Sequence, residues 1–117
     1  MEEWINVIKM LADDTRRNIV GLLLTHDLCV GALARRTHVT EAAVSQHLRL
    51  LREAGLVIGE KRGYYTHYRI NREQLKLAVR GMQVFVAQEP ENSHGCRYKQ
   101  GKHICNGKET QDVPDEM

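Results

Sequence analysis

The chain offers little to a disulfide scaffold, a membrane or an active site. It holds three cysteines, an odd number that argues against a simple disulfide framework. No apolar run approaches the roughly 20 residues needed to cross a bilayer. The opening stretch, MEEWINVIKML, is acidic at first and lacks a signal-peptide pattern. A cytoplasmic protein with reduced thiols is therefore expected, without a membrane partner. A Cys and a His can form a nucleophile–base pair, but no Gly-rich pocket loop and no paired carboxylates accompany them here. The expectation is a protein that is not an enzyme.

What is present is an ordinary globular balance, 42% hydrophobic and 27% charged over 117 residues. That suffices for one domain with a modest core, and a tail. The net charge of +2 hides an uneven distribution. Residues 35–72 carry eight Lys/Arg against three Asp/Glu, while the segments on either side are net acidic. A concentrated positive patch is the footprint of a polyanion, most often nucleic acid. The bland alternative is a solvated face.

Periodicity orders the elements. Trp4, Ile5, Ile8 and Leu11 fit one face of a first helix. Asp13 or Asp14 can cap a second, with Ile19, Val20, Leu23 and Leu24 inward. CVGALARRT reads as a short third helix with Leu33 and Ala34 inward. In HVTEAAVSQHLRLLREAG, Thr40 is a good N-cap and Gly55 fits the position just past the helix end. Val44, Leu48 and Leu51 form a buried stripe between them. LVIG and YYTHYRI then alternate as two strands, with EKRG at the hairpin tip. NREQLKLAVRGMQVFVAQ returns to a helical period, with Asn71 as N-cap and Pro90 ending it. Its apolar face is broad enough to suggest a packed partner.

This order predicts a mainly α fold with a small β-hairpin: a winged helix-turn-helix over residues 1–88, which binds DNA and dimerises. A Cys/His-containing tail follows over 89–117. The second helix of the pair offers Ser45, Gln46, His47 and Arg49 to base edges, and Gln and Arg suit adenine and guanine. Lys61 and Arg62 suit phosphate or the minor groove. With Thr40 and Tyr64, these make the candidate DNA-contacting set. The plain alternative is that Gln46 and His47 are ordinary surface residues on an ordinary hairpin.

Three stretches, LADDTRRNIVGLLL, LCVGALARRTHVTEAAVSQHLRLLREAGLV and KRGYYTHYRI, resemble the ArsR/SmtB family of bacterial and archaeal repressors. Together they cover most of residues 10–70. The resemblance implies a homodimer, joined through its first and last helices, that binds a palindromic double-stranded operator and represses its own operon. It also implies an inducer that releases DNA by shifting the dimer between two states.

The family's inducer positions are only partly present. One uses Cys-x-Cys at the start of the third helix; here LCVG keeps Cys29 and has Gly31 at the second position. Another uses His and carboxylate pairs on the last helix, which here has no His and no Asp. That argues against a zinc sensor of that type. The tail, SHGCRYKQGKHICNG, repeats His-x-Cys as His94/Cys96 and His103/Cys105. These four can form a local Cys2His2 site. Alternatively Cys96 and Cys105 join Cys29 in a three-thiolate site for a thiophilic ion such as arsenite, antimonite, cadmium, lead or mercury, with the histidines optional. A metal-free thiol switch answering oxidant, sulfide or persulfide is a third reading. An iron–sulfur cluster on three Cys and one His is a fourth. A winged helix used only for protein interaction, with a structural zinc in the tail, is the rival class. Incidental tail thiols and a merely packed Cys29 are the bland ones.

Overall fold

A computed structural model describes residues 2–90 and the backbone of 96–99, 102–105 and 108–110. The chain forms two compact units, Met1–Ala87 and Gln88–Met117. The first contains α1 (Glu2–Leu11), α2 (Asp14–Leu23), α3 (Val30–Thr37), α4 (Glu41–Glu53), β1 (Val57–Arg62), β2 (Tyr65–Ile70) and α5 (Arg72–Val86). This is a winged helix-turn-helix: α3 and α4 are the helix pair, and β1–β2 is the wing.

Local chemistry sets the helix starts. The Asp13 carboxylate accepts the Arg16 backbone N–H at 3.0 Å and caps α2. The Thr40 hydroxyl does the same for α4, accepting from Ala43 N–H at 3.0 Å. The turn between α3 and α4 is tight because His38 takes a left-handed conformation, with φ 63°. Asn71 precedes α5, but its side chain turns away from the helix. Its Nδ2 donates to the Gly55 carbonyl at 3.2 Å and ties α5 to the end of α4.

The core gathers one stripe from each element. Ile19, Leu33, Val44, Leu48, Leu51 and Leu56 are buried, as are Tyr68 and Ile70 from the wing. In α1 the buried residue is Val7, which the sequence reading did not select, while Ile8 stays 40% exposed. That helix is apolar over much of its circumference, and only its packing on α5 decides which side goes in. Trp4 lies directly on Gly81 of α5: a Cβ there would fall 2.4 Å from the indole ring. Gly81 is thus the notch that lets the two helices close.

The wing differs from the sequence expectation by a shift along the chain. Lys61 and Arg62 lie in β1, paired with Thr66 and Tyr65, so EKRG is not the tip. The turn is Gly63–Tyr64, with Gly63 at φ +64°. A two-residue loop with glycine first keeps the strands' right-handed twist, so pairing runs two residues further. Leu28 adds a bridge to Tyr68 through reciprocal backbone hydrogen bonds of 3.4 and 2.9 Å. The α2–α3 connection is thereby stitched to the wing. Helix α5 ends at Val86, two residues before the expected limit, with Ala87 as its C-cap.

In the second unit β3 (Cys96–Lys99), β4 (Lys102–Cys105) and β5 (Lys108–Thr110) form an antiparallel sheet in that order. The sequence reading had no paired strands here. Cys96 lies opposite Cys105, and Tyr98 opposite His103. His94 lies outside the described residues, as do the side chains of Cys96, His103 and Cys105.

Candidate nucleic-acid interface

Helix α4 has two unlike sides. Val44, Leu48 and Leu51 are at most 1% exposed. Ser45, Gln46 and Arg49 are exposed on the opposite side, and Thr40 is exposed at the N-cap. Arg49 Nη2 donates to Gln46 Oε1 at 3.1 Å, so each orients the other on the open face. Such a pair can present a guanidinium and an amide together to a groove edge. His47, grouped with them from the sequence, sits differently. Its side chain is 23% exposed and its Nδ1 is 4.0 Å from Asp13 Oδ2.

The wing offers Lys61 and Arg62 on β1 and Tyr64 at the turn, all exposed. Tyr64 is 99% exposed, consistent with a side chain that waits for a partner. Arg62 is already engaged. Its guanidinium meets Glu60 at 2.8 Å and Asp27 at 2.9 Å. These two carboxylates, Glu60 first, raise its pKa further. The Asp27 contact ties the wing to the α2–α3 connection beside the Leu28 bridge. A phosphate reaching Arg62 must exchange with those carboxylates, which the sequence alone did not reveal.

Cys29 occupies the N-cap position of α3, half-buried, with no capping hydrogen bond from its side chain. It lines a groove of about 510 Å³ with Gly31, Arg35, Glu41, Tyr64 and Tyr65. The groove therefore borders both the start of α4 and the turn of the wing. A Cβ at Gly31 would lie 3.6 Å from the Arg35 guanidinium and 3.7 Å from a Glu41 oxygen, ordinary contact distances. Among the described residues no group of three His, Cys, Asp or Glu is placed to hold a metal ion.

Comparison with known proteins settles the lineage. Residues 13–58 match the family model described as bacterial regulatory protein, arsR family. The transcriptional repressor SdpR of Bacillus subtilis is 30% identical over 81 residues, covering 69% of this chain and 90% of that protein. The chain belongs to the ArsR family. Members of that family are transcriptional regulators, not enzymes. The arsenical resistance operon repressor of Escherichia coli is 44% identical over 69 residues, 57% of this chain and 58% of that protein. The chain thus spans little more than half of that relative. Among solved structures, an ArsR-like transcriptional regulator from a Rhodococcus species superposes with a TM-score of 0.68 at 32% identity, covering 73% of this chain and 78% of that one. A homodimeric winged helix-turn-helix DNA-binding domain from Mycobacterium bovis superposes with a TM-score of 0.58 at 25% identity, covering 78% and 89%. No helix among the described residues is long and apolar enough to cross a membrane.

Proposed function

We propose that the protein is a homodimeric repressor that binds a palindromic operator and leaves it when a thiophilic metal or metalloid ion binds its cysteine thiolates. The observation that carries the DNA part is the division of α4, with one side sealed in the core and Ser45, Gln46 and Arg49 open on the other. Thr40, Lys61, Arg62 and Tyr64 extend that surface. His47 stands with this set from the sequence, although its ring turns inward.

The dimer is supported by the face that α1 and α5 leave open. Val79, Met82, Val84, Phe85 and Val86 are between 45% and 78% exposed. Ile8, Leu75, Val79, Met82 and Val86 line an apolar groove of about 580 Å³. So large an unpartnered patch marks an association surface, and the similar Mycobacterium bovis domain is homodimeric.

The effector part rests on Cys29 in its groove and on the arsenical and cadmium resistance regulators among the relatives. We assign Cys29, Cys96 and Cys105 as ligands, with His94 and His103 as optional ones. The register that sets Cys96 opposite Cys105 also favours a second reading, in which the tail thiols act as a redox or sulfur-responsive pair. A gel shift tests the DNA part. The protein binds its own promoter region, and affinity falls steeply as salt rises. Absent or salt-insensitive binding rejects the repressor reading.

A further inference from the structure

His47 lies on α4 among groups that face outward, yet its ring turns to the body of the protein. Its Nδ1 sits 3.4 Å from Arg16 Nη1, a long hydrogen bond. A guanidinium has only donors, so Nδ1 is the acceptor. The same guanidinium donates from Nε to the Met10 carbonyl at 3.0 Å. Met10 is in the last turn of α1, where carbonyls lack partners within the helix. Arg16's own N–H is held by the Asp13 cap. One side chain thus joins the end of α1, the start of α2 and the middle of α4.

Its neighbour provides an internal comparison. Arg17 Nη1 donates to the Leu11 carbonyl at 2.8 Å, and its Nη2 pairs with Asp14 on its own helix. Arg17 therefore caps α1 as Arg16 does, but it stops there. Only the Arg16 contact continues to α4.

We infer that Arg16 is a positioning residue, a strut that fixes the tilt of α4 against α1, and that His47 is its acceptor rather than a reader of bases. This rests on the operator-binding reading of α4 and on α1 lying at the dimer seam. In a two-fold dimer the two reading helices must fall about one DNA turn apart, roughly 34–36 Å. A loose tilt in each protomer is repeated in its partner. The strut therefore governs half-site spacing as well as affinity.

The test uses the full-length reduced protein and a duplex that it selects from a random-sequence pool. Binding is measured on that duplex and on versions with one base pair inserted or removed between half-sites. Arg16→Ala and His47→Leu should each weaken binding up to about tenfold, the scale of one lost hydrogen bond. Both should narrow the preference for native spacing. The double variant should be no worse than either single one, because the two act as a pair. His47→Gln, which keeps an acceptor, should restore much of the preference, and Arg17→Ala should leave it intact. The salt slope should not change, since no phosphate contact is removed. Unchanged spacing preference in Arg16→Ala and His47→Leu overturns the inference. So does a fall of about one in the salt slope per half-site, which would make Arg16 a phosphate contact, or relaxed base choice in His47→Leu alone. If no duplex is selected, the operator reading itself fails. Hydrogen exchange of α4 in the free protein then decides the strut: faster exchange in Arg16→Ala than in Arg17→Ala supports it, and equal exchange overturns it.

Discussion

Val79→Glu probes the dimer at its seam. Val79 is 57% exposed in the single chain and lines the groove between α1 and α5. Full burial of such a side chain stabilises by roughly 1.5–3 kcal/mol. Covering the part still exposed therefore contributes about 1–2 kcal/mol for each copy. A two-fold interface uses the same patch twice, so about 2–4 kcal/mol is lost per dimer. Glutamate adds an unpaired carboxylate where water is excluded, which costs at least another few kcal/mol. A total of about 5 kcal/mol or more raises the dissociation constant at least several thousandfold. In the monomer the site faces water, so folding stability should move by no more than about 0.5 kcal/mol. Sedimentation velocity across a dilution series reads the monomer–dimer balance directly, with Val79→Thr as the near-isosteric control. Wild type and the threonine variant should sediment as dimers where Val79→Glu is monomeric and still folded. A Val79→Glu protein that dimerises like wild type refutes the placement of the seam on this face.

Three further predictions follow from single contacts. Gly81→Ala sets a methyl against the Trp4 ring, so it should lower stability by about 1–3 kcal/mol and shift the emission of this lone tryptophan, as urea melts followed by fluorescence would show. Asp13 accepts the Arg16 N–H, which holds its pKa below the ordinary 3.8, with the Arg16 charge assisting. Its contribution is thus complete above the unfolded-state pKa and is lost as pH falls through the lower folded value. Asp13→Asn keeps a capping oxygen but not the titration, so the stability gap between the two proteins should narrow in acid denaturation run from about pH 5 to pH 2. Gly31→Cys fits the space available and places a second thiol two residues from Cys29; it should tighten arsenite binding in a competition titration, and unchanged affinity would remove Cys29 from the effector site.

Much of this fold was legible because its signals are local. The caps at Asp13 and Thr40, the stripe of Val44, Leu48 and Leu51, and the return to helix after Asn71 depend on neighbours a few residues away. The features that were missed are tertiary. Burial of Val7 over Ile8 depends on how α1 meets α5. The inward turn of His47 depends on Arg16, 31 residues earlier, and spacing along α4 carries no trace of it. The Arg62 contacts likewise need Asp27, 35 residues away, to be brought up by the Leu28 bridge. The tail strands lack an alternating apolar face, so the signal that marks β2 was missing there. Cys29 was readable as a residue, but its groove between α3, α4 and the wing was not.

The most direct measurement is a titration of the reduced protein on its operator duplex with arsenite, cadmium, zinc and polysulfide, followed by fluorescence anisotropy of the DNA. Release by a thiophilic ion is expected, with Cys29→Ser holding the operator at normal affinity and failing to let go. Full retention of DNA in the presence of every one of these agents would contradict it, as would release from Cys29→Ser at the wild-type concentration.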